Sequence, residues 1–210
     1  MKHCSIVAYI QRDPLLMIRE IDPDDFLICA DIGLSYCLEA GRVPDLIIGD
    51  FDSYEFPEGN DLIKDVPVVR LPVIKDHTDL DISIQKAAEL GYTDISVYGG
   101  LGGRVDQTVA NIQLMIGAKE RGIDVTLKDP DNEAMIVTDS VTIKKKEGYF
   151  LSLFAVNGDV SGLSVKDTKY ELDDAVLTES FPLGVSNDFG TGDAEISLDK
   201  GMLLVVLSGK

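Results

Sequence analysis

The feature that most constrains this chain is a change of rhythm near Asp129-Pro130-Asp131-Asn132. Before it, short apolar strand runs alternate with helical patterns, predicting strands over 4–10, 26–30, 46–48, 66–71, 95–98 and 125–127. Such alternation builds a layered α/β domain with a mostly parallel sheet. Thr78-Asp79-Leu80-Asp81 predicts a helix start, with an acid three residues after a Thr cap, and Gly91 closes that helix. A second helix is predicted from about Val105 to Arg121, ended by Gly122. After the turn-rich stretch only β-type runs follow, over 134–137, 141–143, 149–156, 175–177, 194–198 and 202–207. Clusters such as Asn157-Gly158-Asp159 and residues 187–193 separate them, predicting an antiparallel sandwich or small barrel. Two domains are therefore expected, an α/β domain over 1–128 and an all-β domain over 129–210.

Charge narrows the functional classes. The formal net charge of −18 repels a phosphate backbone and anionic membranes, which argues against nucleic-acid and membrane partners. A small polyphosphate fits only where divalent cations bridge it to carboxylates. No apolar run nears the roughly 18 residues that span a bilayer, and the N-terminal run is too short for a signal peptide. Three cysteines, Cys4, Cys29 and Cys37, show no paired metal-ligand spacing. That pattern fits a reducing cytoplasm rather than a disulfide or zinc framework.

Gly49-Asp50-Phe51-Asp52-Ser53 follows the apolar run Leu46-Ile47-Ile48. In an extended segment Asp50 and Asp52 would share a face, with Phe51 opposite. Two such carboxylates repel, and Mg²⁺, which takes one or two carboxylates with waters and phosphate oxygens, relieves the repulsion. A polar turn with an aspartate capping a helix accounts for the same residues. Lys75-Asp76-His77-Thr78-Asp79 precedes a helix, where phosphate gathers, and Asp79 could join the two acids. Lys75 could offset phosphate charge, while a simple helix cap is the alternative.

Gly99-Gly100-Leu101-Gly102-Gly103-Arg104 is the strongest local signal. Its glycines let backbone amides approach an anion, and Arg104 presents a planar fork for phosphate. The spacing is neither the dinucleotide fingerprint nor a Walker A loop. Ala30-Asp31-Ile32-Gly33 adds a carboxylate at another strand end, where taken alone it reads first as a cap or turn residue.

In this order the segments resemble the thiamin pyrophosphokinase family. The resemblance rests on Asp31-x-Gly33, Pro44-Asp45-Leu46-Ile47-Ile48-Gly49-Asp50-Phe51-Asp52-Ser53, Asp76-x-Thr78-Asp79, Gly102-Gly103-Arg104-x-Asp106 and Asn111. In the second half, Val160-x-Gly162-Leu163, Lys169-Tyr170-x-Leu172 and Gly184-Val185-Ser186-Asn187 complete it. It implies a catalytic α/β domain, a C-terminal β-sandwich and a homodimer with active sites between subunits. By that likeness Asp50, Asp52 and Asp79 hold Mg²⁺, with Asp31 nearby. Asp31, Lys75, Asp76, Thr78, Gly102, Gly103, Arg104 and Asp106 shape the ATP site, and Gln107, Ser186 and Asn187 help hold thiamin. Two departures stand out: Ile32 replaces a frequent glycine, and Gln107 a frequent histidine. The implied reaction moves a pyrophosphoryl group from ATP to the thiamin hydroxyl. A metal-dependent phosphohydrolase and a non-catalytic nucleotide-binding protein are the rival readings.

Overall fold

A computed structural model describes residues 2–52, 54–74 and 76–210. The chain divides into two compact units, Met1–Pro130 and Asp131–Lys210.

The first unit runs β1 (His3–Val7), α1 (Pro14–Arg19), β2 (Phe26–Ala30), α2 (Gly33–Glu39), β3 (Leu46–Gly49), β4 (Val68–Arg70), α3 (Asp79–Glu89), β5 (Asp94–Tyr98), α4 (Val105–Glu120) and β6 (Asp124–Lys128). All its ladders are parallel, in the order β4-β3-β2-β1-β5-β6. The central strands are buried almost throughout, with Ile6, Ile28, Ile47, Ile95 and Leu127 at or near zero exposure. A near-continuous apolar run is what a strand covered on both faces requires.

Two strands are shorter than predicted. β1 stops at Val7 because its neighbours end there, Val7 pairing with Cys29 on one side and Tyr98 on the other. β4 covers only 68–70 because β3, its one partner among the described residues, pairs with it at three positions. Two helices lacked a recognised signal. α1 starts at Pro14, where the missing N–H costs nothing, after Asp13 at φ 52. α2 opens on Gly33 with no side-chain cap. A Cβ on Gly33 would lie 2.1 Å from the Val7 carbonyl oxygen, so only glycine lets α2 abut the end of β1.

The second unit is all β: β7 (Asn132–Val137), β8 (Ser140–Ile143), β9 (Tyr149–Lys166), β10 (Leu172–Leu177), β11 (Gly184–Asn187), β12 (Ala194–Ser197) and β13 (Lys200–Gly209), every ladder antiparallel. Its main departure from expectation is β9, an 18-residue strand that runs straight through Asn157-Gly158-Asp159. That cluster does adopt left-handed conformations, φ 56 at Asn157 and 109 at Gly158, but makes a bulge instead of a reversal. The partner strand absorbs it, since Lys200 pairs with Ser161 while Met202 pairs with Val156. Before the bulge β9 lies between β13 and β11; after it, β9 pairs with β10 and β12. Both halves feed one core, through Leu151, Leu153 and Ala155 on one side and Val160, Leu163 and Val165 on the other.

Candidate functional site

In the parallel sheet β2 and β3 are neighbours, with Ala30 opposite Ile48. The residues just beyond must emerge side by side at the carboxyl edge, where open α/β sheets bind ligands. Asp31 turns there at φ 47 and donates its backbone N–H to the Ile48 carbonyl at 2.8 Å. Gly49 permits the approach, because a Cβ at that position would sit 3.1 Å from Asp31 Cα. Phe51 follows at φ 56, and the Asp52 N–H reaches back to Asp50 Oδ1 at 3.2 Å.

The result is a group of three acids. One carboxylate oxygen from each of Asp31, Asp50 and Asp52 lies within 4.8 Å of the others. Asp31 and Asp50 are half-buried and Asp52 is exposed. The extended geometry expected for 50–52 is not what joins the pair; a left-handed turn at Phe51 does, and the third member comes from the neighbouring strand. Three carboxylates this close repel one another, more strongly the lower the effective dielectric. A hard divalent cation with oxygen ligands fits the donor set.

Asp79 is not a member of that group. It is the first residue of α3, half-buried, following the cap Thr78, whose Oγ1 accepts the Asp81 N–H at 3.1 Å. The predicted capping acid Asp81 turns to His77, with Nδ1 to Oδ2 at 2.6 Å. Asp76 is exposed. Lys75 and Ser53 lie outside the described residues.

The glycine run joins β5 to α4. Gly102 and Gly103 are consecutive left-handed residues, φ 79 and 65, a conformation that glycine adopts freely and other residues rarely do. Asn111 pins the run from α4, donating Nδ2 to the Gly100 carbonyl at 2.8 Å. Arg104 occupies the N-cap position of α4, and its guanidinium forks onto Asp106, Nε–Oδ1 3.1 Å and Nη2–Oδ2 2.5 Å. This bond raises the arginine's pKa and, with the Gln107 N–H at 3.0 Å, holds the Asp106 carboxyl below its ordinary value. Arg104, Asp106 and Gln107 are all exposed, so an anion arriving here meets a cation already oriented by a carboxylate.

In the second unit, Gly184-Val185-Ser186-Asn187 is an irregular strand on β9 and not a free loop. Gly184 pairs with Leu153 and Asn187 with Leu151, with a register break at Ser186, φ 59. Ser186 is exposed, and its N–H is held by the Ser152 hydroxyl at 3.0 Å. Asn187 is 8% exposed, and its amide faces inward. Nδ2 donates to the Tyr170 carbonyl at 2.8 Å and Oδ1 accepts the Tyr170 N–H at 3.0 Å. The same oxygen takes the Asp188 N–H, so the side chain is largely committed to fixing Tyr170 beside β11.

Sequence reading placed Asp31 near Asp50 and Asp52 by family likeness but did not count it among the metal ligands. Knowing that β2 and β3 are adjacent would have supplied it. It also missed Ser152 and the clamp on Tyr170, which no local pattern announces.

Comparison with known proteins agrees with this layout. Residues 18–127 match the family described as thiamin pyrophosphokinase, catalytic domain, and residues 140–203 the thiamin pyrophosphokinase vitamin B1 binding domain. The chain is 30% identical to thiamine pyrophosphokinase of Bacillus subtilis over 215 aligned positions, covering 99% of each. The crystal structure of thiamine pyrophosphokinase from Bacillus subtilis superposes with a TM-score of 0.88 at 28% identity, covering 100% of both chains. That from Geobacillus thermodenitrificans gives 0.83 at 25%, covering 99% of this chain and 98% of the other. The Candida albicans enzyme, at 16% identity and TM-score 0.75 over 99% of this chain and 89% of its own, shares the fold. This chain belongs to the thiamin pyrophosphokinase family.

Proposed function

We propose that the chain transfers a pyrophosphoryl group from ATP to the hydroxyl of thiamin, giving thiamin diphosphate and AMP. The observation that carries this is the three-carboxylate group at the ends of β2 and β3, in a chain both of whose halves match that family. In our reading residues 1–128 form the layered catalytic domain and 129–210 a sandwich that binds thiamin. Asp31, Asp50 and Asp52 hold Mg²⁺, and Asp79 at the start of α3 is assigned to the same site. The bound cation supplies charge neutralisation for phosphate oxygens. Transfer of this kind needs alignment more than covalent help. Gly102 and Gly103 cradle phosphate, with Lys75, Asp76 and Thr78 at the same ATP site. Arg104, steadied by Asp106, meets developing charge. Ser186 and Gln107 contact thiamin, and Asn187 sets the strand that presents Ser186.

We also assign a cytoplasmic homodimer in which Ser186 and Asn187 of one subunit complete the site whose aspartates belong to the other. Its support is the set of exposed apolar side chains on the second unit, Tyr170, Val176, Phe181, Leu183 and Val185. None of the helices among the described residues is long and apolar enough to cross a membrane.

The test is a chromatographic assay of ATP plus thiamin, with Mg²⁺ or with chelator. Equal amounts of thiamin diphosphate and AMP, lost on chelation, are expected. Nucleotide hydrolysis without thiamin diphosphate would establish the phosphohydrolase reading instead. Mixing Asp52→Asn and Asn187→Ala proteins tests the shared site: activity returns after subunit exchange only if sites are shared.

A further inference from the structure

Arg70 closes β4 and stands opposite Gly49 in the β3–β4 ladder. Its guanidinium carbon lies 5.4 Å from the centre of the Phe51 ring and 4.7 Å from that of Phe56. The two rings meet edge to face, with centroids 4.9 Å apart. Glu58 takes one end of the fork, Nη2 to Oε1 at 2.5 Å, while the guanidinium carbon stays over the aromatic pair. Phe51 is the residue between the two carboxylates, and it is left-handed at φ 56, which a bulky side chain rarely adopts unaided. Its ring also reaches back over the strand end, since a Cβ on Gly49 would lie 3.2 Å from Phe51 Cε1. Backbone conformation at Phe51 and ring position are therefore one variable, and Arg70 lies against the ring.

We infer that Arg70 is a positioning residue for the divalent-cation site, acting through Phe51 to hold the turn that carries Asp50 and Asp52 to Asp31. The inference rests on reading the three aspartates as that site. Arg70 itself need touch neither metal nor substrate. Its effect has a sign that separates this role from a plain surface charge. Removing a positive charge beside a cation site should tighten cation binding by electrostatics alone. Removing a support of the turn should weaken it.

The experiment titrates the nucleotide-free protein with Mn²⁺, following the free ion by electron paramagnetic resonance. The proteins are wild type, Arg70→Met, Arg70→Lys, Phe51→Leu, the Arg70→Met/Phe51→Leu double variant and Asp52→Asn. Loss of a cation–π support should weaken Mn²⁺ binding about fivefold in Arg70→Met. Arg70→Lys, which keeps the cation but loses the planar fork, should fall between it and wild type and guards against a Met variant that fails to fold. Phe51→Leu should match Arg70→Met, and the double variant should be no worse than either. Unchanged or tighter Mn²⁺ binding in Arg70→Met, with Asp52→Asn weakened, overturns the role of Arg70 alone. Additive losses in the double variant overturn it too. If wild type binds no Mn²⁺, or Asp52→Asn binds as wild type does, the metal reading falls and this inference with it.

Discussion

The turn at Asp50–Asp52 and the strand segment at Ser186–Asn187 solve one problem, presenting polar groups on a bent backbone, in opposite ways. In the parallel unit the bend is supported by main chain and by rings: Gly49 against Asp31, the Asp31 N–H on Ile48, and Phe51 packed on Phe56. The carboxylates of Asp31, Asp50 and Asp52 come together at that edge. In the antiparallel unit the bend is supported by polar side chains, Ser152 holding Ser186 and Asn187 holding Tyr170. Parallel strands deliver their ends to one edge by topology, so few side chains are needed to assemble a site there. Antiparallel hairpins deliver no such edge, and side-chain hydrogen bonds must shape it.

Mutation should expose that contrast. Asp52→Asn is expected to lower the rate by about 10²–10³, as removal of one strong electrostatic contact does. The metal-free melting temperature should hold or rise, because one repelling charge is gone; a folded variant turning over near the wild-type rate would break the assignment. Gly33→Ala should act the other way, costing about 3 kcal/mol of stability by forcing a methyl against the Val7 carbonyl. Denaturant unfolding checks it, and a shift below a few tenths of that would show the α2–β1 contact to be yielding.

Asn187→Ala should join both effects. It removes the partner of the Tyr170 N–H, while the Tyr170 carbonyl keeps the Thr168 hydroxyl at 3.1 Å, at a cost of about 1 kcal/mol, and weakens thiamin affinity while ATP affinity stays. Calorimetry with each ligand separates the two. Loss of thiamin affinity without loss of stability would mean that the amide contacts thiamin directly.

Asp167 gives the smallest effect. Its carboxylate accepts N–H groups from Gly192 at 3.1 Å and Thr191 at 2.9 Å, which hold its pKa below the ordinary value. A depressed folded pKa contributes stability above the unfolded value that is lost as pH falls through the folded one. Asp167→Asn should therefore melt slightly earlier than wild type at neutral pH, and the gap should close in strong acid. A gap that persists there would mean that shape, not charge, organises residues 190–192.

The parts that could be read from the sequence are those fixed by local chemistry. Thr78 caps α3 as its spacing predicts, and the apolar runs of the parallel unit fall on β1 to β6. Asp50 and Asp52 were recognisable as a pair, but the turn that joins them was not, because a left-handed Phe is set by the rings packed on it. Asp31 belonged to the group only once β2 and β3 were neighbours. Asn157-Gly158 carries the residues of a hairpin turn, yet becomes a bulge because β13 lies alongside to pair with both flanks. Asn187 and Tyr170 are 17 positions apart, beyond any spacing rule.

The unbroken course of β9 has a consequence for how the second unit comes apart. Tyr149–Lys166 is the one strand shared by the ladders of β11 and β13 and those of β10 and β12. The two groups pair mainly with different halves of β9, and what couples them is the continuous backbone of that strand and the single core that both halves feed. The unit should therefore open as one cooperative block, not as two sheets that fray separately. A disturbance in β10 then reaches Ser186 through the backbone of a single strand.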